Sequence, residues 1–297
     1  MPVGAVKRMA RLPDVVSVAP NRDTASSGST QEAIAGATTS AVRTYSSSTA
    51  YAGYDGTGVG IAILDSGVMK AHRNFRNAAN TASRVMRNVS MLKADAANWA
   101  DATNATASSP MPGSAALASY EAAIAADNDN FQDPYGHGTH VASVAAGRGF
   151  YQSPDSTGIA PGANIYDVRV LSSLGVGTIS DALEGINWVM YHAREYNIKV
   201  MNLSLAAAST DPWDYDPLCA AVRAAASMGI TVVVASGNFG LNLSGKQVFG
   251  TISSPGNDPT VITVGALNYK ATAARGDDVV TNFSSRGPTR AYLDMGT

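Results

Sequence analysis

An α/β fold of three layers, with helices on both faces of a mainly parallel sheet, follows from three features of the 297-residue sequence. Apolar runs at residues 59–64, 165–171, 200–205, 230–235 and 261–266 are nearly continuous, the pattern of strands covered on both faces. Helical stretches alternate with these runs, which is the order of βαβ units around a parallel sheet. Hydrophobic residues make up 45% of the chain and charged residues 15%, so one large domain with a short appendage can bury a sizeable core.

The elements follow in chain order. Residues 1–30 hold a short strand-like run, Val15, Val16 and Val18, ending at Pro20, and then a polar Ser/Thr/Gly stretch at 24–30 that reads as a linker. From residue 31 to 297 the chain is expected to form the main domain. Residues 78–130, rich in Ala, Asn, Asp and Ser, read as an insertion of loops with one short helix around 115–126. A later helix is expected to open with Ser180 as N-cap and Asp181 in its first turn, with Leu183, Ile186, Val189 and Met190 facing the core at spacings of three and four. Another opens with Asp216 as cap and Pro217 at its first position and stops at Gly229. No internal repeat is evident.

Charge and composition exclude several function classes. A formal net charge of −2 lacks the basic excess of a nucleic-acid or membrane-surface binder. The single cysteine, Cys219, sits among alanines on the apolar side of a helix and reads as a packed, inert thiol. The most apolar stretch, residues 230–235, is too short to span a bilayer, and residues 1–30 lack the apolar segment of a signal peptide. If the protein is secreted, its leader is absent here.

Three segments carry chemistry. Residues 58–67 form an apolar strand that delivers Asp65 at its C-terminal end, the edge at which sites of open α/β sheets lie; a turn-capping Asp is the alternative. Residues 135–147 place His137 between glycines at the start of a small-residue helix. His137 and His140 are three apart with no Glu between them, unlike the i, i+4 helix of metalloproteases, so no metal site is expected. Residues 232–240 end another strand at Ser236, Gly237 and Asn238, where the amide either donates to a developing oxyanion or tolerates a left-handed turn. A nucleophile elbow of the G-x-S-x-G kind is lacking, since Ser66 and Ser236 stand in other contexts. The glycines at 56–60 precede a strand instead of following one, the wrong order for a dinucleotide fingerprint.

Taken in order, Asp65-Ser-Gly, His137-Gly-Thr-His140 and Gly237-Asn238 closely resemble the boxes of the subtilisin-like serine peptidases, and the resemblance extends over residues 53–288. It implies a serine endopeptidase in which Asp65 orients and His137 shuttles the proton, with Asn238 as oxyanion donor. It also implies a substrate-binding edge at Ser204, Leu205 and Ala206, together with Ser236 and Gly237. Relatives often carry glycines where Ala206 and Ala207 stand, so pocket width departs from the family pattern. The family's nucleophilic Ser opens a helix in a Gly-Thr-Ser-Met box that does not occur in these residues, and the chain is expected to be a fragment ending upstream of it, with the C-terminal part of the fold missing. The alternative is an inactive relative that binds peptides through the Ser204 edge. By the same resemblance residues 5–22 look like the end of an inhibitory propeptide, the chain's own partner. A protein or peptide is the implied substrate, the state monomeric, and the location extracellular or periplasmic. No cofactor is required; the family commonly holds structural calcium, for which the run 127–130 is the oxygen-rich segment.

Overall fold

The computed structural model describes residues 29–46, 50–97, 112–149, 157–209, 211–270, 272 and 274–289. The strand-like run and most of the linker expected at 1–30 lie outside the described residues. Within them, a short helix α1 (Thr30–Ala35) and a hairpin of β1 (Arg43–Tyr45) and β2 (Tyr51–Gly53) precede the main sheet. That sheet comprises β3 (Gly60–Asp65), β4 (Val85–Ser90), β5 (Asn164–Arg169), β6 (Ile198–Leu203), β7 (Thr231–Ala235) and β8 (Ile262–Val264), in spatial order β4-β5-β3-β6-β7-β8. Every pairing in it is parallel, so all C-terminal strand ends share one edge. The helices are α2 (Ala115–Ile124), α3 (His137–Ala146), α4 (Ile179–His192) and α5 (Pro217–Ser227); a small pair of β9 (Leu267–Asn268) and β10 (Val279–Val280) follows β8.

The three layers come from β3. Its side chains alternate between two cores: Ala62 and Leu64 join Ile186, Val189, Leu218 and Val222 of α4 and α5, whereas Ile61 and Ile63 join Ala142 and Ala146 of α3. A strand with apolar neighbours on both faces has no polar position to spare, which is why it reads as one continuous run.

Two expectations are corrected. The segment 78–130 contains β4, a genuine edge strand of the main sheet, as well as the expected helix. Only Val85 and Val89 of β4 join the apolar core, while Met86 and Arg87 lie in solvent and the buried Asn88 and Ser90 are polar, so its sequence lacks a continuous apolar run. The N-cap of α4 is Thr178, not Ser180. Asp181 then falls at the third helical position, where its carboxylate accepts from the Thr178 amide at 2.9 Å and closes a capping box. The cap of α5 is Asp216, with Pro217 first in the helix as expected, and Gly229 follows its end with φ of +85°.

Helix α2 is fastened to α4 by polar contacts. His192 Nε2 meets Glu121 Oε1 and its Nδ1 meets Glu195 Oε2, both at 2.9 Å, while the ring stacks on Tyr196. Trp188 donates to Glu121 and Tyr120 to Glu184. Burial pulls the His192 pKa down, but the two carboxylates outweigh it and the net displacement is upward. A raised imidazole pKa stabilises the fold below its unfolded value of about 6.5, and that contribution is lost as pH rises through the folded value. Amide exchange in α2 should therefore accelerate, relative to α5, as pH is raised through that range. In His192→Phe this extra acceleration should vanish; an unchanged difference between α2 and α5 would remove the assignment.

Candidate active site

Local sequence dictates how Asp65 and His137 meet. Asp65 is the last residue of β3 and is fully buried. The chain then turns through Gly67 at φ of +117°, where an added Cβ would lie 1.8 Å from the Gln132 carbonyl oxygen, so only glycine fits. Helix α3 starts at His137 and presses Gly138 against that turn: a Cβ there would be 2.2 Å from the Gly67 carbonyl oxygen and 3.0 Å from the Asp65 Cβ. The glycine after the histidine is thus what lets the first turn of α3 approach the tip of β3.

The result is a bonded pair. His137 Nδ1 lies 2.7 Å from Asp65 Oδ1 and 2.9 Å from Oδ2, and the Ser66 amide donates to Oδ1 at 2.7 Å. The Asp65 side chain is 0% exposed and that of His137 43%, so the carboxylate faces the protein while the imidazole reaches solvent. With Nδ1 engaged by Asp65, Nε2 remains for proton transfer. His140 is exposed, and no group of His, Cys, Asp or Glu among the described residues is arranged to hold a metal ion.

His137 lines a cleft of about 300 Å³ together with Tyr135, Leu171, Ile179, Ser204, Leu205 and Ala206. Ser204 follows the end of β6, and the segment is held in line by Ala207, whose amide donates to Ser254 O at 2.9 Å and whose carbonyl accepts from Ser254 N at 3.1 Å. Asn238 is exposed just past β7, at the same C-terminal sheet edge as Asp65 and Ser204. Ser236 and Gly237 are buried beneath it. The Ser236 amide donates to Val264 O at 2.9 Å and its carbonyl accepts from Ser253 N at 3.1 Å, which ties this turn to β8. Gly237 has φ of +99° and leaves no room for a Cβ beside Ser253 and Ser285.

The oxygen-rich run 127–130 is occupied by the protein's own cations: Lys70 Nζ bonds Asp127 at 2.5 Å and Lys93 Nζ bonds Asp129 at 2.9 Å. Cys219 is buried at the start of α5 with its thiol 3.2 Å from Asn257 Oδ1, and burial pushes its pKa up to about 12, so it is an inert packed group. A site residue absent from the sequence reading is Asp133. The signal was there, as a carboxylate four residues before His137 and just ahead of a helix.

Known proteins resemble this chain in sequence and in fold. The model of the subtilase family matches residues 56–294. The chain is 43% identical over 162 residues to serine protease AprX of Bacillus subtilis (strain 168), a match covering 53% of this chain and 35% of the relative. To subtilisin E of the same organism it is 35% identical over 145 residues, covering 49% of this chain and 34% of the relative. The matches thus span about a third of the length of these relatives. Among solved structures, sphericase superposes with a TM-score of 0.55 at 25% identity, covering 90% of this chain and 68% of that one. The S41 psychrophilic protease gives 0.56 at 27% identity, covering 91% and 69%. No helix among the described residues is long and apolar enough to cross a membrane. With a family model spanning residues 56–294 and a parallel-sheet fold shared with solved relatives, the chain belongs to the subtilase family.

Proposed function

We propose that the protein is a serine endopeptidase whose orienting and proton-transfer groups, Asp65 and His137, act on a nucleophilic serine supplied outside residues 1–297. The observation that carries this reading is the bonded pair itself, a buried carboxylate on Nδ1 of an imidazole that opens into a substrate-sized cleft. Neutral His137 takes the serine proton at Nε2 as the hydroxyl attacks a peptide carbonyl. Asp65 fixes the tautomer and stabilises the imidazolium that forms. Asn238 donates to the tetrahedral oxyanion, and the Ser204–Ala206 edge pairs with the extended substrate, with Ser236 and Gly237 shaping the wall behind it.

Ile262, Val264, Leu267, Val279 and Val280 are exposed along β8, β9 and β10, an apolar surface suited to the helix that carries the nucleophile. Residues 1–30 act as the propeptide tail and linker, residues 31–297 belong to the peptidase domain, in which the segment 78–130 supplies β4 and α2, and the protein works as an extracellular or periplasmic monomer on protein substrates. It requires no cofactor.

The test compares residues 1–297 with a polypeptide continued through a Gly-Thr-Ser helix. Only the longer chain should turn over a peptide substrate and take up a serine-directed fluorophosphonate, whereas the shorter should bind a hydrophobic dye at β8–β10. Turnover by residues 1–297 that the fluorophosphonate stops would overturn the placement of the nucleophile. A longer chain that binds peptide without cleaving it would leave a peptide-binding relative as the function.

A further inference from the structure

Asp65 and His137 stand 72 residues apart, on a strand tip and a helix start, yet their hydrogen bond is 2.7 Å long. Holding two elements to that tolerance, about 0.5 Å, takes supporting groups that are themselves locked. The N-cap of helix α3 is Gly136, which has φ of +90° and offers no side-chain cap, so the first amides are satisfied from elsewhere. Two of them, those of Gly136 and Thr139, are satisfied by Asp133, which is 7% exposed. Its Oδ1 accepts from Gly136 N at 2.7 Å and its Oδ2 from Thr139 N at 2.8 Å. The same Oδ1 accepts from the Ser66 hydroxyl at 2.8 Å, and Ser66 Oγ accepts from Gly138 N at 3.0 Å. The Ser66 amide, in turn, donates to the Asp65 carboxylate.

We infer that Asp133 is a positioning residue for the Asp65–His137 pair, acting through the Ser66 hydroxyl; this rests on the peptidase reading of that pair. One carboxylate holds both sides of the gap, gripping the first turn of α3 through Gly136 and Thr139 and the turn after β3 through Ser66. Ser66 bridges in the other direction, from Asp65 to Gly138. A mere helix cap would contact only the amides of α3. The bond to Ser66, on a different element, sets the distance between the strand tip and the imidazole. The negative charge also lies at the positive end of α3, where it favours the folded helix start.

The experiment uses Asp133→Asn, Ser66→Ala and Ser66→Thr in the full chain. The first readout is the far-downfield proton of the His137 Nδ1–Asp65 hydrogen bond in the NMR spectrum, which needs neither nucleophile nor substrate. Asp133→Asn and Ser66→Ala should weaken or broaden it, whereas Ser66→Thr, which keeps the hydroxyl, should retain it. In the serine-bearing protein, kcat should fall by ~10- to 100-fold in the first two variants, the size expected of a sub-ångström misplacement, with KM within about 2-fold of the parent. Ser66→Ala leaves both amide bonds of Asp133 in place, so it decides the matter even where Asp133→Asn fails to fold. A folded Ser66→Ala with an unaltered downfield proton and unaltered kcat would reduce Asp133 to a helix cap. If the parent shows no turnover, the peptidase reading fails, while the NMR comparison still reports on positioning.

Discussion

Asp65→Asn is expected to lower kcat of the serine-bearing protein by ~10⁴-fold, the size seen for serine-protease triads in general, while the fold stays intact. The carboxylate receives His137 Nδ1 at 2.7 and 2.9 Å and the Ser66 amide at 2.7 Å. An Asn at 65 keeps one oxygen for the Ser66 amide and turns an NH2 towards Nδ1. The imidazole then accepts at Nδ1 and carries its proton on Nε2, the tautomer that cannot take a proton from serine. Burial and volume barely change, so thermal unfolding should stay close to the parent's. Nitrogen chemical shifts of the His137 ring would report the exchanged tautomer directly. Retention of activity within about tenfold would mean that Asp65 is a turn-capping residue.

How far the sequence revealed this depended on which groups carried the constraint. Strands β3, β5 and β6 were legible because both faces meet apolar partners, and β7 because its residues form an apolar run, although only Val232 and Val234 enter a core. Even so, β6 begins at Ile198, two residues ahead of the expected start. Exposed Lys199 interrupts the apolar run, although the backbone already pairs Ile198 with Gly60. Pairing is a property of the backbone, and side-chain patterns report it only where burial is continuous. Strand β4 lies at the sheet edge, and of its buried polar residues Asn88 donates to Val68 and Asp167 while Ser90 is simply buried, a pattern that hydropathy does not register. The strand end at Asp65 and the glycine-flanked helix start at His137 were readable, but the strand end fits a turn-capping Asp equally well, and the roles expected of both residues came from the resemblance. The roles expected of Asn238 and Ser204 came from resemblance alone, since an amide after a strand and a serine after a strand are also ordinary turn residues. Asp133 went unread because its role exists only when residues 66 and 136–139 are brought together.

The buried contact of β4 with β5 leads to the second large effect, Asp167→Asn. Asp167 is 1% exposed and accepts from Asn88 Nδ2 at 2.6 Å, and the same amide nitrogen donates to Val68 O at 2.8 Å. Asp167 Oδ1 and Asn88 Oδ1 are both buried without a hydrogen-bond partner. A single proton on Asp167 removes both deficits, since a carboxylic acid and an amide can exchange two hydrogen bonds. Burial pushes the Asp167 pKa well above the ordinary carboxylate range, with Asp133 adding to the rise and Asn88, Val68 and Arg169 opposing it. The folded state therefore holds a proton that the unfolded chain loses near pH 3.9, so the contribution of Asp167 to stability is fully present below that pH and is lost as pH rises toward the folded value. Asn at 167 reproduces the protonated acid without titrating. It should raise stability at pH 7 by about 1–3 kcal/mol, read as a Tm increase of about 2–4 °C per kcal/mol, and flatten the pH dependence. Asp167→Ala should instead lower Tm at every pH, because it strands Asn88 beside a cavity. Val68, whose carbonyl accepts from the same Asn88 amide, lies three residues past Asp65. An Asp167→Asn protein less stable than the parent at pH 7 would show that Asp167 is folded as the anion.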